Sequence, residues 1–162
     1  MPDRPCGLGL AQQIWISDVT SQTTRPEPAS GSTAPSLSGR TFEVSRAGHF
    51  EAAHHLAPKD PNHPYGQLHG HSFRVEIAVS GVVKESEDWV ADFAQLGDVL
   101  AKVTGILDHS YLNEIPGLEL PTLERICVWI ADRVLPDLPR LTRVSVSRPS
   151  LSETCTLRLG ES

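Results

Sequence analysis

Between residues 41 and 160 the apolar positions follow two periods, and the change from one to the other lays out the elements. In TFEVSRAGHFEAAHHL, Phe42, Val44, Phe50, Ala52 and His54 all fall at even positions. A period of two puts them on one face of a strand, with Gly48 a candidate bulge. From 69 to 80 the alternation is clearer. His69, His71, Phe73, Val75, Ile77 and Val79 share one face, and Ser72, Arg74, Glu76 and Ala78 the other.

The period then changes. Phe93, Leu96, Leu100, Val103 and Leu107 recur at spacings of three and four, as do Leu123, Ile126, Cys127, Ile130 and Val134. Both runs predict amphipathic helices, the second with Pro121 suited to its start. Residues 141–147 and 154–159 return to strand character. The resulting order, ββααββ, clusters its elements instead of alternating them, which favours an α+β fold: an antiparallel sheet with both helices on one face.

Upstream, residues 18–40 are rich in Ser, Thr, Pro, Gly and Ala and nearly devoid of large apolar groups. Such a segment buries too little to offset the entropy of ordering, so residues 1–40 are read as a disordered N-terminal extension and 41–162 as the folded domain. The stretch CGLGLAQQIWI is broken by Gly and Gln and followed by Asp and Thr, so it does not read as a secretory signal. No window approaches membrane-spanning length.

Charge and cysteine usage narrow the chemistry. The chain of 162 residues has 20 acidic against 14 basic side chains, a net charge of −6. That balance lacks the basic stripe of a nucleic-acid groove and leaves small polar substrates as the expected partners. Three scattered cysteines, Cys6, Cys127 and Cys155, form no disulfide framework and favour a reducing, cytoplasmic setting. Cys127 falls on the apolar stripe of its helix and reads as core.

The histidines carry the chemistry. His69 and His71 on one strand face are about 7 Å apart along the chain, near enough for their imidazoles to converge on one ion. Taken alone, such a pair reads more readily as two exposed strand histidines. His54 changes the balance, because a hairpin of the two strands would bring it in as a third donor. Three neutral imidazoles and an open position suit a metal that polarises a substrate or activates water.

The ordered segments FEAAHHL, LHGHSF, ADFAQL, LDHSYLN and IPGLELPTLERICVWI, with the paired C-terminal strands, resemble the 6-pyruvoyltetrahydropterin synthase family, most closely its bacterial 6-carboxytetrahydropterin synthase branch, over residues 41–160. The resemblance implies the T-fold, a four-stranded antiparallel sheet with two helices, assembled into barrels that are usually hexamers with sites at subunit boundaries. It implies a zinc ion held by His54, His69 and His71, acting as a Lewis acid on the side-chain hydroxyls of 7,8-dihydroneopterin triphosphate. By the same resemblance Asp108 and His109 relay protons with a catalytic base, and Thr122 and Glu124 of PTLE lie near the pterin. Read without it, Asp108 is a helix-end cap, His109 a loop residue and Glu124 an acid in a helix's first turn.

Two positions depart from the family pattern. Where the family places a cysteine four residues before the first His of HGH, this chain has Tyr65. A phenol, with a pKa of about 10 against about 8.5 for a thiol, is the poorer base at neutral pH unless a cation lowers it. His63 and Asp60 in the same loop are alternatives, each also readable as a solvated loop residue. Where the family has Glu-Thr to grip the pterin, strict alignment gives Arg148 and Pro149, and a shifted one gives Glu153 and Thr154. Arg148 cannot accept a hydrogen bond, so only Glu153 could take that role.

The leading expectation is therefore a zinc-dependent lyase of the 6-carboxytetrahydropterin synthase type, in queuosine or pterin metabolism. The alternatives are a same-fold enzyme acting on another pterin-like substrate and a non-catalytic homologue that keeps pterin or metal binding.

Overall fold

A computed structural model describes residues 35–58, 60, 62–83 and 87–160. The expected disordered extension falls almost wholly outside them. The described chain runs β1 (Thr41–His54), β2 (His69–Val82), α1 (Phe93–Leu107), β3 (Ser110–Tyr111), α2 (Leu123–Val134), β4 (Leu141–Arg148) and β5 (Glu153–Arg158), with short 3-10 turns at Pro64–Gly66, Leu112–Glu114 and Pro149–Leu151. The sheet order is β3-β1-β2-β4-β5.

The four long strands are antiparallel neighbours, as the period-two segments require. The departure is β3. It pairs parallel to β1, Ala52 opposite Ser110 and Ala53 opposite Tyr111, which makes the sheet five-stranded and mixed. Two residues are too few to show a period, and the strand arises from a turn: His109 adopts φ 54° and its N–H donates to Glu51 O at 2.6 Å.

Gly48 is not a bulge. The β1–β2 register runs unbroken from Thr41 opposite Val82 to His54 opposite His69, and the shift falls instead between Ala78 and Val79 against β4. Gly48 answers a packing demand: a Cβ there would come within 3.2 Å of Leu100 Cδ2, so the missing side chain lets α1 lie close on β1.

Both helices cover one face of the sheet. Phe50, Phe73, Val75, Ile77, Val144 and Val146 form one core with the buried stripes of α1 and α2. Asp92 caps α1, accepting from Ala94 N at 2.7 Å, and Thr122 caps α2, accepting from Arg125 N at 3.3 Å. Pro121 thus sits one residue before the cap. Cys127 is in the core as its stripe implies, whereas Phe93, counted on the stripe of α1, is 53% exposed. The opposite sheet face is polar, with Arg143 bridging Glu43 and Glu76 at 2.8 and 2.9 Å. Among the described residues no helix is long and apolar enough to cross a membrane.

Phe50 and Phe73 stack at 4.7 Å, with the rings of His54 and His71 each 5.8 Å from Phe73. Phe73→Ala should cost ~3–5 kcal/mol in urea unfolding, the cost of a large buried cavity. A loss below ~1 kcal/mol would mean that this stack does not support the core.

Candidate metal centre

The unbroken register puts His54 directly opposite His69, and Ala52 opposite His71. Parity turns all three imidazoles to the helix-covered face, at the end of the sheet just past Phe50 and Phe73. Ring centroids are 4.6 Å apart for His54 and His69, 5.3 Å for His54 and His71, and 4.9 Å for His69 and His71. One ring nitrogen from each lies within 4.8 Å of the other two.

Hydrogen bonds fix two of the tautomers. His54 Nδ1–H donates to Pro121 O at 3.3 Å and His69 Nδ1–H to Gln67 O at 2.7 Å. Each bond leaves Nε2 as the lone-pair nitrogen, and both Nε2 atoms are buried without a partner among the described residues. A buried acceptor without a donor is costly, and an ion shared by the three rings would satisfy it. The donor set, three imidazoles and no thiolate, suits zinc or a neighbouring transition metal.

The protonation states agree. Burial is the main cause that pushes His54 down to about 4, its hydrogen bond to Pro121 opposing and the other two histidines and Arg148 adding to the fall. His71 is lowered too, first by burial and then by the Arg148 guanidinium. Both are therefore neutral at pH 7, as metal ligands must be.

The sequence marked Arg148 only as a residue unable to replace the family's Glu, and its contact with the triad was not legible there. It continues the parity of Val144 and Val146 onto the core face, is 8% exposed, and holds Nη1 3.4 Å from His71 Nε2. Its Nη2 pairs with Glu153 Oε2 at 2.5 Å across the β4–β5 hairpin, where the two residues are register partners. Glu153 thus lies beside the centre through Arg148.

Tyr65 stands in the turn between the strands. Its ring is 6.2 Å from that of His69 at 23° and packs edge-on against His63 at 4.5 Å. His63 caps this turn by accepting from Tyr65 N, and Asp60 accepts from Asn62 N, both local loop contacts. Asp108 is the C-cap of α1. Its carboxylate accepts from Glu51 N at 2.8 Å and faces His109 Nδ1 at 2.9 Å, and the Glu51 N–H is the first cause that holds it below the usual carboxylate range.

Two cavities border the triad. One of about 460 Å³ is lined by His71, His109, Glu51 and Ser72. The other, about 230 Å³, lies between His54, Arg148, Thr122 and Glu124. Of the sequence-selected residues, His71 and His109 line the first and His54, Thr122 and Glu124 the second, while His69, Tyr65, Asp108 and Glu153 line neither. A larger apolar cavity of about 600 Å³, among Phe42, Val44, Trp89 and Phe93, holds no imidazole and is remote from this chemistry.

Residues the sequence did not single out brace the centre. Asn113 accepts from His55 N at 3.0 Å and donates to His55 O and Glu119 O at 3.0 and 3.1 Å, while His55 Nδ1 meets the Tyr111 hydroxyl at 2.5 Å. The doubled histidine was their available signal, since neighbouring strand residues point to opposite faces.

Comparison with known proteins agrees with this geometry. The family described as 6-pyruvoyl tetrahydropterin synthase matches residues 43–159. A dihydroneopterin monophosphate aldolase of Pyrococcus furiosus is 37% identical over 100 residues, 60% of this chain and 81% of that protein. A 6-carboxy-5,6,7,8-tetrahydropterin synthase of Synechocystis is 39% identical over 115 residues, 66% of this chain and 82% of that one. The Caenorhabditis elegans 6-pyruvoyl tetrahydropterin synthase structure superposes with a TM-score of 0.66 at 19% identity, covering 75% of this chain and 97% of that one, which shows a common fold.

Because folded His54 has a lower pKa than the free imidazole near 6.5, the unfolded chain binds the extra proton between about pH 6.5 and 4. Metal-free protein should be most stable above pH 6.5 and lose on the order of 2–3 kcal/mol on acidification through that window. Urea unfolding at stepped pH should show the slope, and His54→Gln should flatten it. Equal slopes in both proteins would place the titration elsewhere.

Proposed function

This chain belongs to the 6-pyruvoyl tetrahydropterin synthase family, and from that premise we propose that it is a zinc-dependent lyase of the 6-carboxytetrahydropterin synthase type, acting on 7,8-dihydroneopterin triphosphate. The observation that carries the proposal is the triad of His54, His69 and His71, with two buried unpartnered ring nitrogens and neutral imidazoles. When bound, zinc would supply Lewis acidity toward the hydroxyls of the substrate side chain. The chain's residues do the rest.

Asp108, kept ionised by Glu51 N–H, accepts from His109 Nδ1–H and so presents Nε2 for proton exchange. His109 and His71 line one cavity, which supports a relay between that imidazole and a substrate held beside the triad. Tyr65, stacked on His69, takes the place of the family's thiol base or donates a hydrogen bond through its hydroxyl. Thr122 and Glu124 line the smaller cavity and are assigned to substrate binding. Glu153 reaches the centre with one carboxylate oxygen on Arg148 and the other available to a pterin edge. A cytoplasmic homohexamer, in queuosine or pterin metabolism, completes the reading.

A second reading draws on one specific likeness. The Pyrococcus furiosus relative is named as an aldolase on dihydroneopterin monophosphate. Aldol cleavage removes a hydroxyl proton, breaks the adjacent carbon–carbon bond and passes its electron pair into the conjugated C=N of the dihydropterin ring. The protein need supply only a base for that proton and a cation that would acidify the hydroxyl, roles open to the same residues and the ion they would hold.

Zinc-loaded protein incubated anaerobically with dihydroneopterin triphosphate, and separately with the monophosphate, and read by mass spectrometry, separates the two. Formation of 6-carboxytetrahydropterin from the triphosphate supports the synthase, and side-chain cleavage of the monophosphate the aldolase. His71→Ala should lower either activity at least ~100-fold, and Tyr65→Phe ~100-fold or more if the phenol moves the proton. Zinc bound with neither substrate consumed would contradict both.

A further inference from the structure

Arg148 is a buried cation whose hydrogen bonds are incomplete. The guanidinium carries five N–H donors in a rigid fork. Nη2 lies 2.5 Å from Glu153 Oε2 as an ion pair that lacks hydrogen-bond geometry, Nη1 has only the 3.4 Å contact with His71 Nε2, and Nε is buried with no partner among the described residues. Burial of such a group is costly unless its donors are used.

The contact with His71 is also incompatible with a filled metal centre. An ion on Nε2 takes the lone pair that Arg148 uses. An ion on Nδ1 leaves the proton on Nε2, again with no lone pair there. By either route, loading the triad deprives Nη1 of its acceptor, so a second donor of Arg148 is freed beside the centre.

Arg148 lines the cavity of about 230 Å³ together with His54, Thr122 and Glu124. Its far wall is the N-terminal turn of α2, a helix of 12 residues, where Thr122 satisfies only Arg125 N–H by its side chain. The remaining first-turn N–H groups and the helix dipole favour negative charge at that end. A buried guanidinium and a helix N-terminus therefore face one small space next to the triad.

The geometry points to an oxyanion-binding subsite formed by Arg148 and the first turn of α2, which takes a carboxylate or phosphate of the ligand held at the His54–His69–His71 centre. This inference rests on the metal-centre reading above and adds to it the polarity of the recognised group: hydrogen-bond-accepting and anionic. Glu153 already occupies one edge of the fork and Glu124 lines the same space, so the ligand competes with carboxylates of the chain. Removing the Glu153 charge should therefore strengthen anion binding.

Titration calorimetry of zinc-loaded protein with inorganic phosphate and, separately, acetate tests the subsite, with zinc per chain measured on every sample. Wild type is expected to bind at least one of the two, phosphate marking a phosphoryl site and acetate alone a carboxylate site. Arg148→Met should weaken that binding at least ~10-fold, Arg148→Lys should retain part of it, and Glu153→Gln should tighten it ~2–10-fold, all at unchanged zinc content. Should Arg148→Met fail to fold, the Lys and Gln variants carry the comparison. Binding of neither anion by wild type, equal binding by Arg148→Met, or weaker binding by Glu153→Gln would overturn the subsite. Wild type that holds no zinc would overturn the metal centre instead. The anion titration is then read on metal-free protein, where dependence on Arg148 is still expected and its absence counts against the subsite.

Discussion

The pairing register of β1 and β2 is the constraint on which the rest of the site depends. It runs without a shift from Thr41 opposite Val82 to His54 opposite His69. A slip by one residue would turn every side chain of a strand to the other face and take the imidazoles of that strand to the polar side. Both faces hold it in place. On the core side Phe50 stacks on its register partner Phe73, and on the polar side Arg143 bridges Glu43 of β1 and Glu76 of β2.

A register fixes backbone positions, and the rings need more. Loops supply it by backbone acceptors: Pro121 O orients His54 and Gln67 O orients His69. Asn113 grips the peptide groups of His55 just beyond the end of β1, so the strand cannot fray at its functional end. The centre is held by these contacts with the chain's own groups, which is the preorganisation a metal site needs. Burial then serves chemistry directly, because the desolvation that lowers the pKa of His54 keeps the ring neutral and its lone pair free.

Most of this architecture was legible in the chain. Period two in HGHSFRVEIAV placed His69 and His71 on the face of Phe73 and Val75, and the ββααββ order implied the neighbour that brings in His54. Gly48 misled because a strand glycine has two physical readings, a bulge or a close approach, and only the position of Leu100 separates them. The strand Ser110–Tyr111 was invisible because it follows from a left-handed turn at His109 and not from a pattern. Arg148 was legible only as the loss of an acceptor. Its parity with Val144 and Val146 already pointed it into the core, yet contact with His71 depends on how far β4 runs along β2 toward the histidines, which no local pattern records.

The central claim is that His54, His69 and His71 together hold one metal ion. X-ray absorption at the zinc edge, on protein loaded with one zinc per chain, examines that directly. Three imidazole nitrogens at about 2.0–2.1 Å with oxygen completing the shell is the expected result. A sulfur shell near 2.3 Å, or fewer than three imidazoles, would contradict it.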